Sequence, residues 1–143
     1  MSLENLVKIG QLEQITPDAQ DINRLLEAAR RSLNDAQLSG LSAEGRFDMA
    51  YKAIMQSANA ALQASGFRTL TSKPGHHQTM IQTLPQTVGL DKDTTIQLDA
   101  LRKQRNVIDY SGDIVSNTMA NEAVQHATAL IARVQDELAK SGK

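Results

Sequence analysis

The densest set of groups able to do chemistry lies in Leu101-Arg102-Lys103-Gln104-Arg105-Asn106-Val107-Ile108-Asp109-Tyr110. On a helix, successive residues turn by ~100°, so Arg102, Arg105, Asn106 and Asp109 share one face, bordered by Leu98, Leu101 and Ile108. Charges set beside apolar side chains must be paired, because an unpaired buried charge costs several kcal/mol. Two readings are open. In the structural one, Arg105 pairs with Asp109 one turn on, and Asn106 shares hydrogen bonds with Tyr110. In the functional one, the planar Arg105 fork receives phosphate oxygens, and Asn106 orients it or touches a ribose.

Two other clusters bear on that segment. His76 and His77 follow the Pro74-Gly75 turn. An imidazole, with a reference pKa near ~6.5, is the right kind of proton acceptor, and a turn folded over the Arg105 helix would bring His76 or His77 to it. The plainer reading is that the pair caps a helix or binds column metal. Two adjacent histidines without a carboxylate cluster do not make a metal site, and His126 stands alone in another helix as a surface or interface residue. In Arg46-Phe47-Asp48, with Tyr51, the aromatic rings read as core. Asp48 could pair with Arg102 or Arg105 across the bundle and hold the guanidinium, either for a site or only to satisfy a buried charge.

The elements that must position these groups are helices. The chain has 143 residues, enough for one domain over residues 1–143 with one core. Hydrophobic residues make up 41 % and aromatics 3 %, which excludes a disordered tail and disfavours a β-sandwich or barrel. Residues 1–15 read as an arm or short helix. Thr16-Pro17-Asp18 starts a helix whose stripe is Ile22, Leu25, Leu26, Ala29, Leu33 and Ala36, stopped at Gly40. Ser42 starts the strongest helix, with Phe47, Ala50, Tyr51, Ile54, Met55, Ala58, Ala61 and Leu62 on one face and Gly66 at its end. Residues 69–75 read as a mobile loop, and His76 to Thr83 as a short helix closed by Pro85 and Gly89. A further helix runs from about Asp91 to Tyr110, with Gly112 as its stop, and Ser116 caps the last, striped by Ala123, Ala127, Leu130, Ile131, Val134 and Leu138. No strand is expected. The sum is an all-α, antiparallel up-and-down bundle of four to five helices.

Charge and composition narrow the function classes. Fifteen Lys+Arg against sixteen Asp+Glu give a net charge of −1, which argues against non-specific duplex binding but leaves room for a local cationic groove. The absence of cysteine removes disulfides, thiolate zinc sites and cysteine nucleophiles. No apolar run approaches the roughly 20 residues of a membrane span, and the N-terminal MSLENLVKIG does not read as a signal peptide. The expectation is a soluble cytoplasmic protein with no membrane partner, no metal and no cofactor.

Arg105-Asn106 followed by Tyr110 at a helix end resembles the HEPN domain, a small helical module. One bacterial branch of that superfamily is matched by an ordered set of further motifs: Glu4-Asn5-Leu6 with Lys8-Ile9-Gly10, Arg46-Phe47-Asp48 with Ala50-Tyr51, Gly75-His76-His77, Leu84-Pro85, and Leu101-Arg102 with Asp109-Tyr110. The resemblance covers roughly residues 1–125. It implies a helical bundle, often a homodimer formed through the helices that carry the motif. It also implies RNA or a nucleotide as ligand, and a cognate antitoxin or nucleotidyltransferase-like protein as partner. Catalytic relatives are metal-independent ribonucleases of toxin–antitoxin or defence type, in which an Arg is followed after four to six residues by His. Arg105 matches that Arg, but the His position holds Tyr110. With a reference pKa of ~10, only ~0.1 % of a Tyr is phenolate at pH 7, a handicap of about 4 kcal/mol.

Three functions compete. The favoured one is a non-catalytic HEPN-like protein binding RNA, a nucleotide or a partner protein through Arg102, Arg105, Asn106, Asp109, Asp48 and His76. The second is an active ribonuclease using Arg105 with His76 or His77 as replacement base. The third is a structural dimerisation module without a ligand.

Overall fold

A computed structural model describes residues 2–72 and 74–140. The long helices start and stop where side chains satisfy their ends. In α2 (Ala19–Ala36), Asp18 Oδ1 accepts from the Gln20 and Asp21 amides at 2.8 and 3.2 Å, with Pro17 just before. In α3 (Ala43–Ala64), Ser42 Oγ accepts from the Gly45 amide at 3.0 Å. Asp91 caps α6 (Lys92–Ser111), which ends at Gly112 with φ 71°, a left-handed turn suited to glycine. Ser116 Oγ accepts from Met119 N at 3.1 Å at the start of α7 (Asn117–Lys140).

The fold is an all-α helical bundle, as the apolar stripes predict. Its centre is α3, against which α2 and α7 make their most extensive contacts. Alanines at 50, 53, 58, 60, 61 and 64 of α3, and at 120, 123 and 127 of α7, are buried, which lets the backbones approach closely. Phe47, Ile54 and Leu62 fill the remaining space and are nearly fully buried, each burial contributing about 1.5–3 kcal/mol as an upper bound. The Arg46 guanidinium fork donates to Asn121 Oδ1 at 2.7 Å and Asn117 Oδ1 at 2.9 Å, fastening the first turn of α7 to the first turn of α3.

The expectation of no strand is corrected. Leu12–Gln14 (β1) and Phe67–Thr69 (β2) pair antiparallel with Leu12 opposite Thr69, and the pairing continues through Ile15 N to Gly66 O at 2.8 Å. Leu12 and Phe67 are buried, so this ribbon folds the chain start onto the exit of α3. Strands this short owe their pairing to the core beneath them rather than to local propensity. The chain before β1 is a short helix, α1 (Leu3–Lys8).

The segment after β2 carries the histidines. Lys73, in the loop before it, lies outside the described residues. The α4 helix (His76–Gln82) begins after Gly75, whose φ of 80° needs glycine, and packs against both α3 and α6. The expected stop at Pro85 is instead the first turn of another short helix, α5 (Leu84–Val88), where proline's missing N–H is harmless. Gly89 closes it, and Arg133 of α7 donates to the Val88 and Gly89 carbonyls at 2.9 and 3.0 Å. Among the described residues, no helix is long and apolar enough to cross a membrane.

Candidate functional site

A half-open pocket of about 440 Å³ lies where α3, α4 and α6 meet, and it gathers Asp48, Tyr51, Lys52, His77 and Arg105. Each side chain arrives for a local reason. Asp48, Tyr51 and Lys52 fall within one turn of α3, so one helical edge presents all three. The Gly75 turn starts α4 close to α3 and directs His77 inward. Leu98 and Leu101 anchor α6, and Arg105 follows Leu101 one turn later. Methionines at 49, 55 and 80 supply the apolar lining.

The guanidinium of Arg105 lies over the Tyr51 ring, 4.9 Å from its centroid, a cation–π contact. Its Nε is 4.0 Å from Asp48 Oδ1, close enough for charge attraction but too long for a hydrogen bond. That Nε is buried and meets no acceptor in hydrogen-bond geometry, although the guanidinium also acts on the Tyr51 hydroxyl as a polar neighbour, and the side chain as a whole is 36 % exposed. The cation is thus held in place, partly desolvated and incompletely matched. Such a group gains most from an incoming anion.

Tyr51 Oη and His77 Nδ1 are 3.1 Å apart. When Nδ1–H donates to the phenol oxygen, Nε2 carries the free lone pair. Burial lowers the His77 pKa below its ordinary value, and charge interactions with His76, Arg105 and Arg102 push it the same way. The imidazole is therefore neutral at pH 7 and able to accept a proton. Burial raises the Tyr51 hydroxyl above its usual range, against the opposing pull of Arg105 and Arg102, so the phenol stays protonated. Asp48 is also raised by burial, with Arg105 pulling it down and Glu44 and Asp109 pushing it up.

The structure brings together Asp48, His77 and Arg105 of the residues singled out from sequence, with His76 beside them at 4.6 Å between imidazole centroids. It separates the others. Arg102 turns back to Asp99, 2.8 Å from Nε to Oδ1, and is held as a half-buried pair. Asp109 is exposed, near enough to Asp48 to influence it, and Arg105 makes its ion pair with Asp48 instead. Asn106 is exposed, and Tyr110, at 94 % exposure, points to solvent. The motif position that would hold a catalytic His is thus not part of the cavity lining.

Sequence reasoning read Tyr51 as core only. It is buried as expected, but its hydroxyl end belongs to the pocket. Lys52, Gln56 and Asn59 were not singled out, although their spacing along α3 continues the edge begun by Asp48. Among the described residues, no group of three or more His, Cys, Asp or Glu could hold a metal ion. No family model matches the sequence, and neither a curated protein nor a solved structure matches it.

Proposed function

We propose that this chain is a HEPN-like protein that binds RNA or a nucleotide, with a phosphate seated against Arg105. The observation that carries the reading is the incompletely matched Arg105 guanidinium, fixed by Tyr51 and Asp48 at the wall of a nucleotide-sized pocket. Lys52 adds a second cation to the same lining. Titrating labelled single-stranded RNA and mononucleotides into the wild type and Arg105→Ala tests it. Affinity should fall at least ~10-fold in the variant, as for loss of a charge-assisted hydrogen bond, while circular dichroism stays unchanged. Equal affinity for both proteins overturns the reading.

A second reading, a metal-independent ribonuclease, is favoured by the neutral His77 beside Arg105. The ribose 2′-hydroxyl would give its proton to His77 Nε2 and attack the adjacent phosphorus while Arg105 stabilises the phosphoryl charge. The P–O5′ bond then breaks, leaving a 2′,3′-cyclic phosphate and a 5′-hydroxyl that takes its proton from water. Incubation with labelled RNA in chelator decides between the readings. Cleavage lost in both His77→Ala and Arg105→Ala supports the enzyme, and intact RNA that is nonetheless bound leaves the binding protein.

The same reading includes a homodimer through α6. Val107, Tyr110 and Ile114, at and beyond the end of α6, are exposed apolar side chains. Light scattering at micromolar concentration should return twice the chain mass, and a monomer would remove this part of the proposal.

A further inference from the structure

We infer that the pocket selects nucleotides by base, preferring keto bases (uracil and guanine) over amino bases (cytosine and adenine). This rests on the Arg105 phosphate seat proposed above. The pocket is elongated along α3: Asp48 and Asn59 both line it and lie about three turns, or ~16 Å, apart. The cations stand at one end, Arg105 against Asp48 and Tyr51. Two half-buried side-chain amides, Gln56 and Asn59, stand at the other. A phosphate alone would use only the first end, whereas a nucleotide laid lengthwise reaches both.

Both amides are already engaged on their oxygen side. Ser32 Oγ donates to Gln56 Oε1 at 2.9 Å, and Gln63 Nε2 donates to Asn59 Oδ1 at 3.2 Å. Each oxygen already accepts one hydrogen bond, which orients the amide, and neither NH₂ group donates one among the described residues, so the NH₂ groups are the freer partners for a ligand. Two amide donors match the O4 of uracil or the O6 and N7 of guanine. They oppose the N4 amino group of cytosine and the N6 amino group of adenine. The Met55 and Met80 side chains, both buried, give the base an apolar wall to lie on. Ser32 and Gln63 act through the amides and are positioning residues.

Calorimetric titration of the whole chain with UMP, GMP, CMP and AMP tests this. UMP and GMP should bind about tenfold more tightly than CMP and AMP, the scale of one good base contact. Gln56→Ala should level the four. Gln56→Glu, which turns the donor into an acceptor, should shift preference towards the amino bases. Ser32→Ala, which frees the amide to rotate, should shrink the keto preference while binding persists. Four equal affinities that still depend on Arg105 would overturn the base selection and leave the phosphate seat standing. No binding of any of the four would overturn both.

Discussion

The two helices that face each other across the pocket, α3 and α6, are built in opposite ways. Nearly all of α3 from Phe47 to Ala64 is buried or half-buried between α2, α7 and the short elements, whereas α6 buries only Leu98 and Leu101 along twenty residues. One wall of the site is thus part of the core, and the other is a lightly attached helix carrying the key cation. The difference teaches that α3 carries core and pocket residues together, whereas the proposed phosphate seat on α6 can be altered with little loss of stability, a separation that substitution can test.

The largest effect that would test this separation lies in α3. Phe47→Ala should cost about 3–5 kcal/mol in urea unfolding, by lost burial and a residual cavity, while Gln97→Ala on the exposed face of α6 should stay within ~0.5 kcal/mol. Similar costs at both sites would erase the contrast. Arg105→Ala is next. It should weaken nucleotide affinity by roughly 1.5–3 kcal/mol and move the unfolding midpoint little, because its side chain is part-exposed and not fully hydrogen-bonded. Tyr51→Phe sharpens the comparison, since it keeps the buried ring but removes the oxygen that meets His77. A loss of about 0.5–1.5 kcal/mol in stability is expected, with a changed His77 titration seen by NMR.

The pH dependence is smaller and has a definite sign. His77 has a lowered folded pKa, so between its unfolded value near 6.5 and that lower folded value the unfolded chain binds more protons. Stability should therefore decline as pH falls below about 6.5, and this contribution should level off once the folded imidazole protonates. In His77→Gln that slope should vanish, and an unchanged slope would assign it to other groups. The smallest effect belongs to Asn106→Ala. With its side chain in solvent, neither stability nor nucleotide affinity should change by more than ~0.5 kcal/mol.

The helices were legible because their signals are local. Ser42, Asp91, Gly112 and Ser116 mark ends that can be recognised from a few neighbouring residues, whereas both ends of α2 moved inward, its cap to Asp18 and its stop from Gly40 to Gln37. The β1–β2 ribbon was not legible, because its strands, fifty-odd residues apart, are paired by tertiary packing. The pocket was half legible. Residue types identified Arg105, Asp48 and His77 as able to do chemistry. A helical wheel could not say which side of α6 would meet α3, and the sector with Asn106 and Tyr110 turned out to face water. Tyr51 was hidden for another reason. A buried ring looks like core in any sequence, and only the fold reveals where its oxygen emerges.

The clasp of Arg133 on the Val88 and Gly89 carbonyls has a reach beyond its own neighbourhood. The stretch from His76 to Gly89 is a span of two small helices moored at its downstream end by that side chain. Cutting the mooring with Arg133→Met would slacken the span and let the imidazole of His77 drift from Tyr51, so a lesion outside the cavity would reshape its wall.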